Sequence, residues 1–409
     1  MSPRPGELRP TDLLAAFFAL GVVYLVVALV VGLVHVTSGW APGRWVALHL
    51  AFIGGISQLV LGASQFFAAA LLATSPPPRA VVRAQLATWN AGTVSVVVGT
   101  ASGWDVAAGV GGVLLVLGLG LLAVGLRSMR HASLQRAPWA TRWYEAAAGF
   151  LAAGVVLGVL LALDVPWRFG SPLAAHLTLN VGGWFGCAIV GTLHTLYPSL
   201  TETSLRSPRL QRLAFAGWTT GVAALAAGYG LGADSLAALG WGGLALGAGA
   251  LAANLLASTW QAPRPFSLPT LLVAAAQCML PLGLALALVL ALGDGATAPL
   301  LGSERGGVAA LLLAGWLGLT VMGSLLHLLT VLIRASGLSS ALGPSHLGRE
   351  RAVAILAAAS VLGTAAASLA PTGGALVLTG GTLAAIYVLL LARAVTLAAR
   401  IVADGGARV

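Results

Sequence analysis

The sequence predicts an all-α integral membrane protein of twelve transmembrane helices, arranged as three pseudo-symmetric four-helix arcs. Three observations carry that expectation: a shortage of charge, twelve long apolar stretches, and self-similarity between successive thirds of the chain. Of 409 residues, 58% are hydrophobic and 8% charged, with a mean hydropathy of +0.96. A soluble domain carries about 25% charged residues, so this chain cannot clothe a water-facing surface. Its 54 glycines do not indicate disorder, because they stand in a background rich in Leu, Val and Ala.

A spanning helix needs about 20 predominantly apolar residues. Such stretches cover 12–36, 44–73, 80–101, 104–127, 142–163, 173–199, 210–231, 234–259, 268–293, 306–334, 350–369 and 373–402. The stretch after Met1–Thr11 is too long for a signal-peptide core and reads as a retained anchor. All 21 basic residues are arginine, with no lysine anywhere, which excludes Schiff-base chemistry. Eighteen of the 21 fall on one side, counting the N-terminus, the even-numbered loops and the C-terminus together; Arg44, Arg168 and Arg305 are the exceptions. The positive-inside rule then puts both termini in the cytoplasm, with the chain in the cell's inner membrane. The net charge of +10 is on this reading a topology signal, and the expected partner surface is lipid, not nucleic acid. Trp40, Trp45, Trp139, Trp143 and Trp167 read as an interfacial aromatic belt. Short loops leave no room for an extramembrane catalytic domain. Cys187 and Cys278 lie in apolar segments without CxxC spacing and support no disulfide framework.

The expected single domain, 1–409, divides into repeats at about 12–127, 142–259 and 268–402. The sixth stretch reads Gly183-Trp184-Phe185-Gly186 and then Gly191-Thr192-Leu193-His194; the tenth reads Gly315-Trp316-Leu317-Gly318 and then Gly323 through His327. A weaker copy in the second runs Gly54-Gly55-Ile56-Ser57, then Gly62 through Phe66. Arg83, Trp89 and Gly92 in the third stretch recur, with their mutual spacing unchanged, as Arg212, Trp218 and Gly221 in the seventh. Gly111-Gly112, Gly242-Gly243 and Gly380-Gly381 are expected at similar places in the fourth, eighth and twelfth helices. The bland explanation is that small residues recur wherever membrane helices pack closely, but three blocks in register favour a repeat.

Ionisable side chains at membrane depth are functional candidates. His131 and His346 fall in loops. His35 ends the first stretch and His49 begins the second, both toward the outer surface, where His176 also begins the sixth. His194 and His327 lie toward the inner ends of the sixth and tenth. His176 and His194 are separated by five turns of a regular α-helix, and so are expected on one face about 27 Å apart. A neutral imidazole is the commonest metal ligand and the usual axial ligand of haem iron. The alternative for each histidine is an interfacial hydrogen bond, and Gln58, Gln65, Asn90, Asn180, Asn254 and Gln277 read as interhelical hydrogen bonds. Cys187 and Met279 are potential copper ligands that more often simply pack. Trp184 and Trp316 lie deep enough to flank a macrocycle.

Twelve helices, cytoplasmic termini and histidines on the second, sixth and tenth resemble the catalytic subunit, subunit I, of haem–copper oxidases. The glycine-patterned repeat from His176 to Tyr197 also looks like the NnrS-type membrane haem proteins and the membrane portion of actinobacterial multicopper oxidases. The resemblance implies haem b, one or two, with copper as a further option, and His49 as a haem ligand on the second helix. The seventh helix lacks the family's histidine pair, the tenth carries one histidine placed inward, and no lysine exists for a proton channel. Oxygen reduction coupled to pumping is therefore not expected. The reading is a b-type haem protein without a standard binuclear centre, for transmembrane electron transfer or handling of nitric oxide or another diatomic gas. His194 and His327 form one expected site and His49 and His176 another, with His35 a further ligand. A quinol or a periplasmic protein would be the electron partner of such an oxidoreductase. A transporter of a small solute or metal and a structural or assembly subunit remain open.

Overall fold

The computed structural model describes residue 8 and residues 10–135, 139–204, 207–263, 265–335, 337, 346–370 and 373–405. Arg4, Arg9, Arg136, Arg206, Arg264 and Arg408, part of the expected arginine asymmetry, lie outside them. The regular structure described is helical throughout, and long helices cover each predicted stretch: α1 (Pro10–Ser38), α2 (Gly43–Leu72), α3 (Arg79–Ser102), α4 (Asp105–Ala132), α5 (Trp139–Ala162), α6 (Pro172–Leu200), α7 (Pro208–Leu231), α8 (Asp234–Gln261), α9 (Leu268–Gly293), α10 (Arg305–Ala335), α11 (Leu347–Leu369) and α12 (Gly373–Gly405). A single short turn of helix, Ala298–Leu301, precedes α10.

Ten of these are long and apolar enough to cross a membrane; α3 and α7 are not among them. Both have the length, 24 residues, or about 36 Å. Their polarity sets them apart: α3 carries Arg83, Gln85 and Asn90, and α7 carries Gln211, Arg212, Thr219 and Thr220.

The helices gather into two compact units. One holds residues 1–168 and 175–188, and the other 169–174 and 189–409. Within the first, α3 and α4 form a hairpin turned at Gly103, whose φ of +70° suits glycine. Within the second, α7 and α8 form a hairpin turned at Gly232, with φ +67°. An aspartate opens the returning helix each time, Asp105 and Asp234, where it complements the helix dipole.

Glycine brings the backbones of each hairpin into contact. A Cβ on Gly99 would lie 2.4 Å from Ala108 N, and one on Gly111 2.6 Å from Val96 N. At the equivalent positions of the second hairpin, a Cβ on Gly228 would lie 2.4 Å from Ala237 N, and one on Gly240 2.5 Å from Leu225 N. The equivalent of Gly111 is thus Gly240, not the expected Gly242. Gly242, Gly380 and Gly381 have nothing within 4 Å of an added Cβ, so the expected match of glycine pairs across three helices does not describe the packing.

Three of the long helices share a π-helical segment. Leu50–Ile56 in α2, Thr178–Gly186 in α6 and Ala310–Gly318 in α10 are π-helical, each followed directly by α-helix. Each ends within the Gly-Gly or Gly-Trp motif of its helix. A π turn is wider than an α turn and loosens the regular hydrogen-bond ladder, so its carbonyls are open to donors from elsewhere. The Trp89 indole donates to Ile53 O at 3.1 Å, and the Tyr387 hydroxyl donates to Ala314 O.

Two sequence expectations change as a result. The π segment lies between His176 and His194, so the regular α-helical rotation per residue does not hold along α6 and the predicted shared face no longer follows. Trp184 and Trp316 are buried by protein: the Trp184 indole donates to Ser57 Oγ at 2.8 Å, the Trp316 indole donates to Gln277 Oε1 at 3.3 Å, and Trp316 packs on Trp218 with ring centroids 5.5 Å apart.

Candidate functional site

The first unit brings together two of the predicted histidines. His49 is the last residue of α2 before its π segment, and His176 lies on α6 just before its own. Both are half-buried, and they stand close enough to interact electrostatically.

His176 is held chiefly by a neighbouring helix. Its Nδ1 donates to Gly154 O on α5 at 2.8 Å. A carbonyl only accepts, so the neutral ring carries its proton on Nδ1 and presents the Nε2 lone pair. The ring lies over Gly158, where an added Cβ would come 2.8 Å from His176 Cε1. One turn along α6, the Asn180 amide donates to His176 O at 2.6 Å and lies over Gly154, where a Cβ would come 2.8 Å from Asn180 Nδ2. Two glycines four apart on α5 thus receive two polar side chains four apart on α6. Both pairs are visible in the sequence at helical spacing, but their pairing across helices is not.

His49 is held from its own helix. Its Nδ1 donates to Trp45 O at 2.9 Å, again leaving the lone pair on Nε2. The Trp45 indole stacks on the imidazole, with centroids 3.8 Å apart and planes at 24°. Trp45 is thus a partner of the candidate site and not only a member of an interfacial belt. The i, i+4 spacing of Trp45 and His49 was the available signal.

His35 points elsewhere: its Nδ1 donates to Trp40 O at 2.8 Å, and its Cβ would lie 2.7 Å from a Cβ on Gly43.

The second unit holds His194 and His327. His194 is 2% exposed, and its Nδ1 donates to Val190 O on its own helix at 2.7 Å. His327, half-buried on α10, has Arg334 of the same helix as a charged neighbour. The Tyr197 hydroxyl, one turn beyond His194, is hydrogen-bonded to Thr259 Oγ1 at 2.7 Å.

Three of the six expected amides tie segments together. Gln65 donates to Gln85 Oε1 at 3.0 Å, Gln277 to Thr320 Oγ1 at 3.1 Å, and Asn254 brackets Ser207 through its N and O, each at 3.1 Å. Asn90 instead bonds Leu86 O on its own helix at 2.7 Å, as Asn180 does His176 O. The Gln58 amide is fully buried and has no hydrogen-bond partner among the described residues. Cys187 is buried in apolar surroundings, and so is Met279.

The chemistry of the donor set decides what it can hold. Two neutral imidazoles with Nε2 lone pairs and fixed Nδ1 protons match the axial requirements of a haem iron, including the carbonyl partner that orients a ligating histidine. They do not match a copper centre of three or more protein ligands: among the described residues, no group of three His, Cys, Asp or Glu side chains converges.

Neither a family model nor a curated protein matches the chain. A solved structure does: a chain of a haem–copper terminal oxidase dimer determined by cryo-EM is 14% identical, with a TM-score of 0.64 over 95% of this chain and 84% of that one. At that identity the likeness speaks for the fold. With ten apolar spanning helices, the chain is a multi-pass membrane protein with a haem–copper-oxidase-like fold.

Proposed function

We propose that this protein is a membrane b-type haem protein, and that His49 and His176 are the residues that would hold the haem. The observation that carries this reading is that the two imidazoles lie in one unit, each with Nδ1–H committed to a backbone carbonyl. The likeness to a haem–copper oxidase chain supports it. On the same reading α3 and α7 also cross the bilayer, shielded by α4 and α8, which gives twelve spans. The three π segments and two matched hairpins are what remains of a threefold four-helix repeat, and the arginines put both termini in the cytoplasm of a cell whose inner membrane holds the chain.

A haem in this place supplies a one-electron redox centre that also binds diatomic gases. The protein's own part is to orient and to exclude water. Gly154 O and Trp45 O hold the Nδ1 protons, so both Nε2 atoms stay unprotonated. Gly158 and the Trp45 indole set the two ring planes. His194 and His327 would serve a second, inner haem through which electrons cross the bilayer, from a quinol or to a periplasmic protein. No step is assigned to copper, because the donor set does not fit it.

The test is an absorption spectrum of the purified, dithionite-reduced full-length protein. A Soret band with a b-type α band is expected, and pyridine haemochrome gives the stoichiometry. A folded protein that binds no haem would falsify the reading. Replacing His176 with alanine removes the outer haem; replacing His327 with alanine separates one site from two.

A further inference from the structure

The second unit carries an open groove of about 480 Å³ between α8 and α9, two of the helices long and apolar enough to cross a membrane. Its α8 wall is a face of small residues, Ala238, Gly242, Ala245, Gly249 and Ala252. Their spacing alternates between four and three, so they share one side of the helix. A Cβ added to Gly242 or Gly249 would meet nothing within 4 Å. Larger side chains, Pro281, Leu284 and Leu288, form the α9 wall. Gln277 lies at the deep end, and its amide is committed to α10: it donates to Thr320 Oγ1 at 3.1 Å and accepts from the Trp316 indole at 3.3 Å. The groove therefore presents almost nothing but hydrocarbon.

Shape and surroundings decide what can occupy it. Leu239 and Leu246 beside the α8 wall, and Leu282 and Val289 beside the α9 wall, are exposed, so the open side faces the bilayer interior. The α9 wall runs from Gln277 to Leu288, about 17 Å along the helix axis. That is close to one leaflet of a hydrocarbon core about 30 Å thick. A volume of about 480 Å³ spread over such a length has the width of one hydrocarbon chain. A helix, about 10–12 Å across with its side chains, does not enter it. Two exposed carboxylates stand at the end marked by Ala238 and Leu288. Asp234 opens α8 one turn before Ala238, and Asp294 caps the C-terminus of α9. Arg305, the next arginine along the chain, holds its guanidinium on Leu301 O and Gly302 O.

We propose that this groove binds one acyl chain of a glycerophospholipid from the leaflet at the Asp234 end, and that Asp234 and Asp294 select a headgroup bearing an ammonium group. Contact between methylenes and the small-residue wall supplies the affinity, because leaving other lipid tails brings no hydrophobic gain. The carboxylates supply the selection. They attract an ammonium and repel a headgroup of net negative charge.

The test is native mass spectrometry of the full-length protein, purified in detergent and offered equal amounts of phosphatidylethanolamine and phosphatidylglycerol with identical acyl chains. The wild type is expected to retain one lipid per chain and to take phosphatidylethanolamine several-fold in preference. Gly242→Leu and Gly249→Leu each put a branched side chain into the slot and lose most of the bound lipid. Because nothing lies within 4 Å of either new Cβ, the unfolding temperature in detergent holds. Gly120→Leu on α4, equally open but not a groove residue, keeps the lipid. Asp234→Asn combined with Asp294→Asn keeps the lipid and loses the headgroup preference, in a protein whose groove is untouched. Unchanged lipid retention in both leucine variants overturns the groove as the site. So does a leucine variant that changes the oligomeric state but not the lipid content, which assigns the groove to a helix of a second copy. Equal or stronger binding of phosphatidylglycerol by the wild type overturns the headgroup selection.

Discussion

The hairpins α3–α4 and α7–α8 are built by glycines at matching positions, whereas α11–α12 shares their connectivity and not their packing. In the first two, Gly99 and Gly228 sit against backbone nitrogen of the returning helix. In the third, Gly363 meets only the Thr379 side chain, and Gly380 and Gly381 meet nothing within 4 Å. A glycine in a membrane helix therefore carries structural meaning only through what lies opposite it. The π-bearing helices differ in a parallel way. α2, α6 and α10 have the same backbone irregularity, but only α2 and α6 place a histidine just before it. The corresponding positions of α10 are Val308 and Ala309. The π segment occurs in all three helices, and a histidine just before it in two of them.

The hairpin comparison makes the largest prediction. Gly228→Val and Gly99→Val each drive a branched side chain into a backbone atom 2.4 Å from the new Cβ. Neither helix can yield without separating the pair, so each substitution should cost more than about 3 kcal/mol, beyond the common overpacking range, read as loss of folded protein in a thermal or detergent unfolding assay. If Gly228→Val is tolerated and Gly99→Val is not, the two hairpins are not equivalent.

Next in size is Gly158→Ala, which places a methyl 2.8 Å from His176 Cε1. On the proposed reading the substitution disturbs His176 through its support, and haem affinity should fall about 10–100-fold with little change in unfolding temperature. Gly149→Ala on the same helix, where nothing lies within 4 Å, should leave both unchanged.

A smaller effect is expected in α10, whose motif is structural. Gln277→Leu leaves the buried Trp316 indole without its acceptor and should destabilise by about 1–2 kcal/mol with the haem spectrum intact. A spectral change would show that α10 takes part in the site.

The smallest is Gly381→Leu on α12, an exposed position with open space, expected to change stability by no more than about 0.5 kcal/mol. A large effect in the membrane, absent in detergent, would mean that α12 is covered there.

Membrane character and the approximate ends of the helices follow from composition and hydropathy, because a bilayer demands long apolar helices and little else. The histidines at membrane depth are equally visible, since ionisable groups there are rare. The match of Arg83, Trp89 and Gly92 with Arg212, Trp218 and Gly221 is also legible in the sequence by itself. Tertiary structure decided the rest. Which glycines are essential depends on an atom across the helix pair, so Gly240 replaced Gly242 as the counterpart of Gly111. The π segments shift residue phase without any local marker, so His176 and His194 could not be placed on a common face by counting. Gly154 and Gly158 of α5 supply His176 with its acceptor and its space. Periodicity along one chain records what a helix buries, but not which neighbour it is buried against. The sequence therefore names the histidines, and the tertiary structure decides what holds each ring: Trp45 of its own helix for His49, and Gly154 of a neighbouring helix for His176.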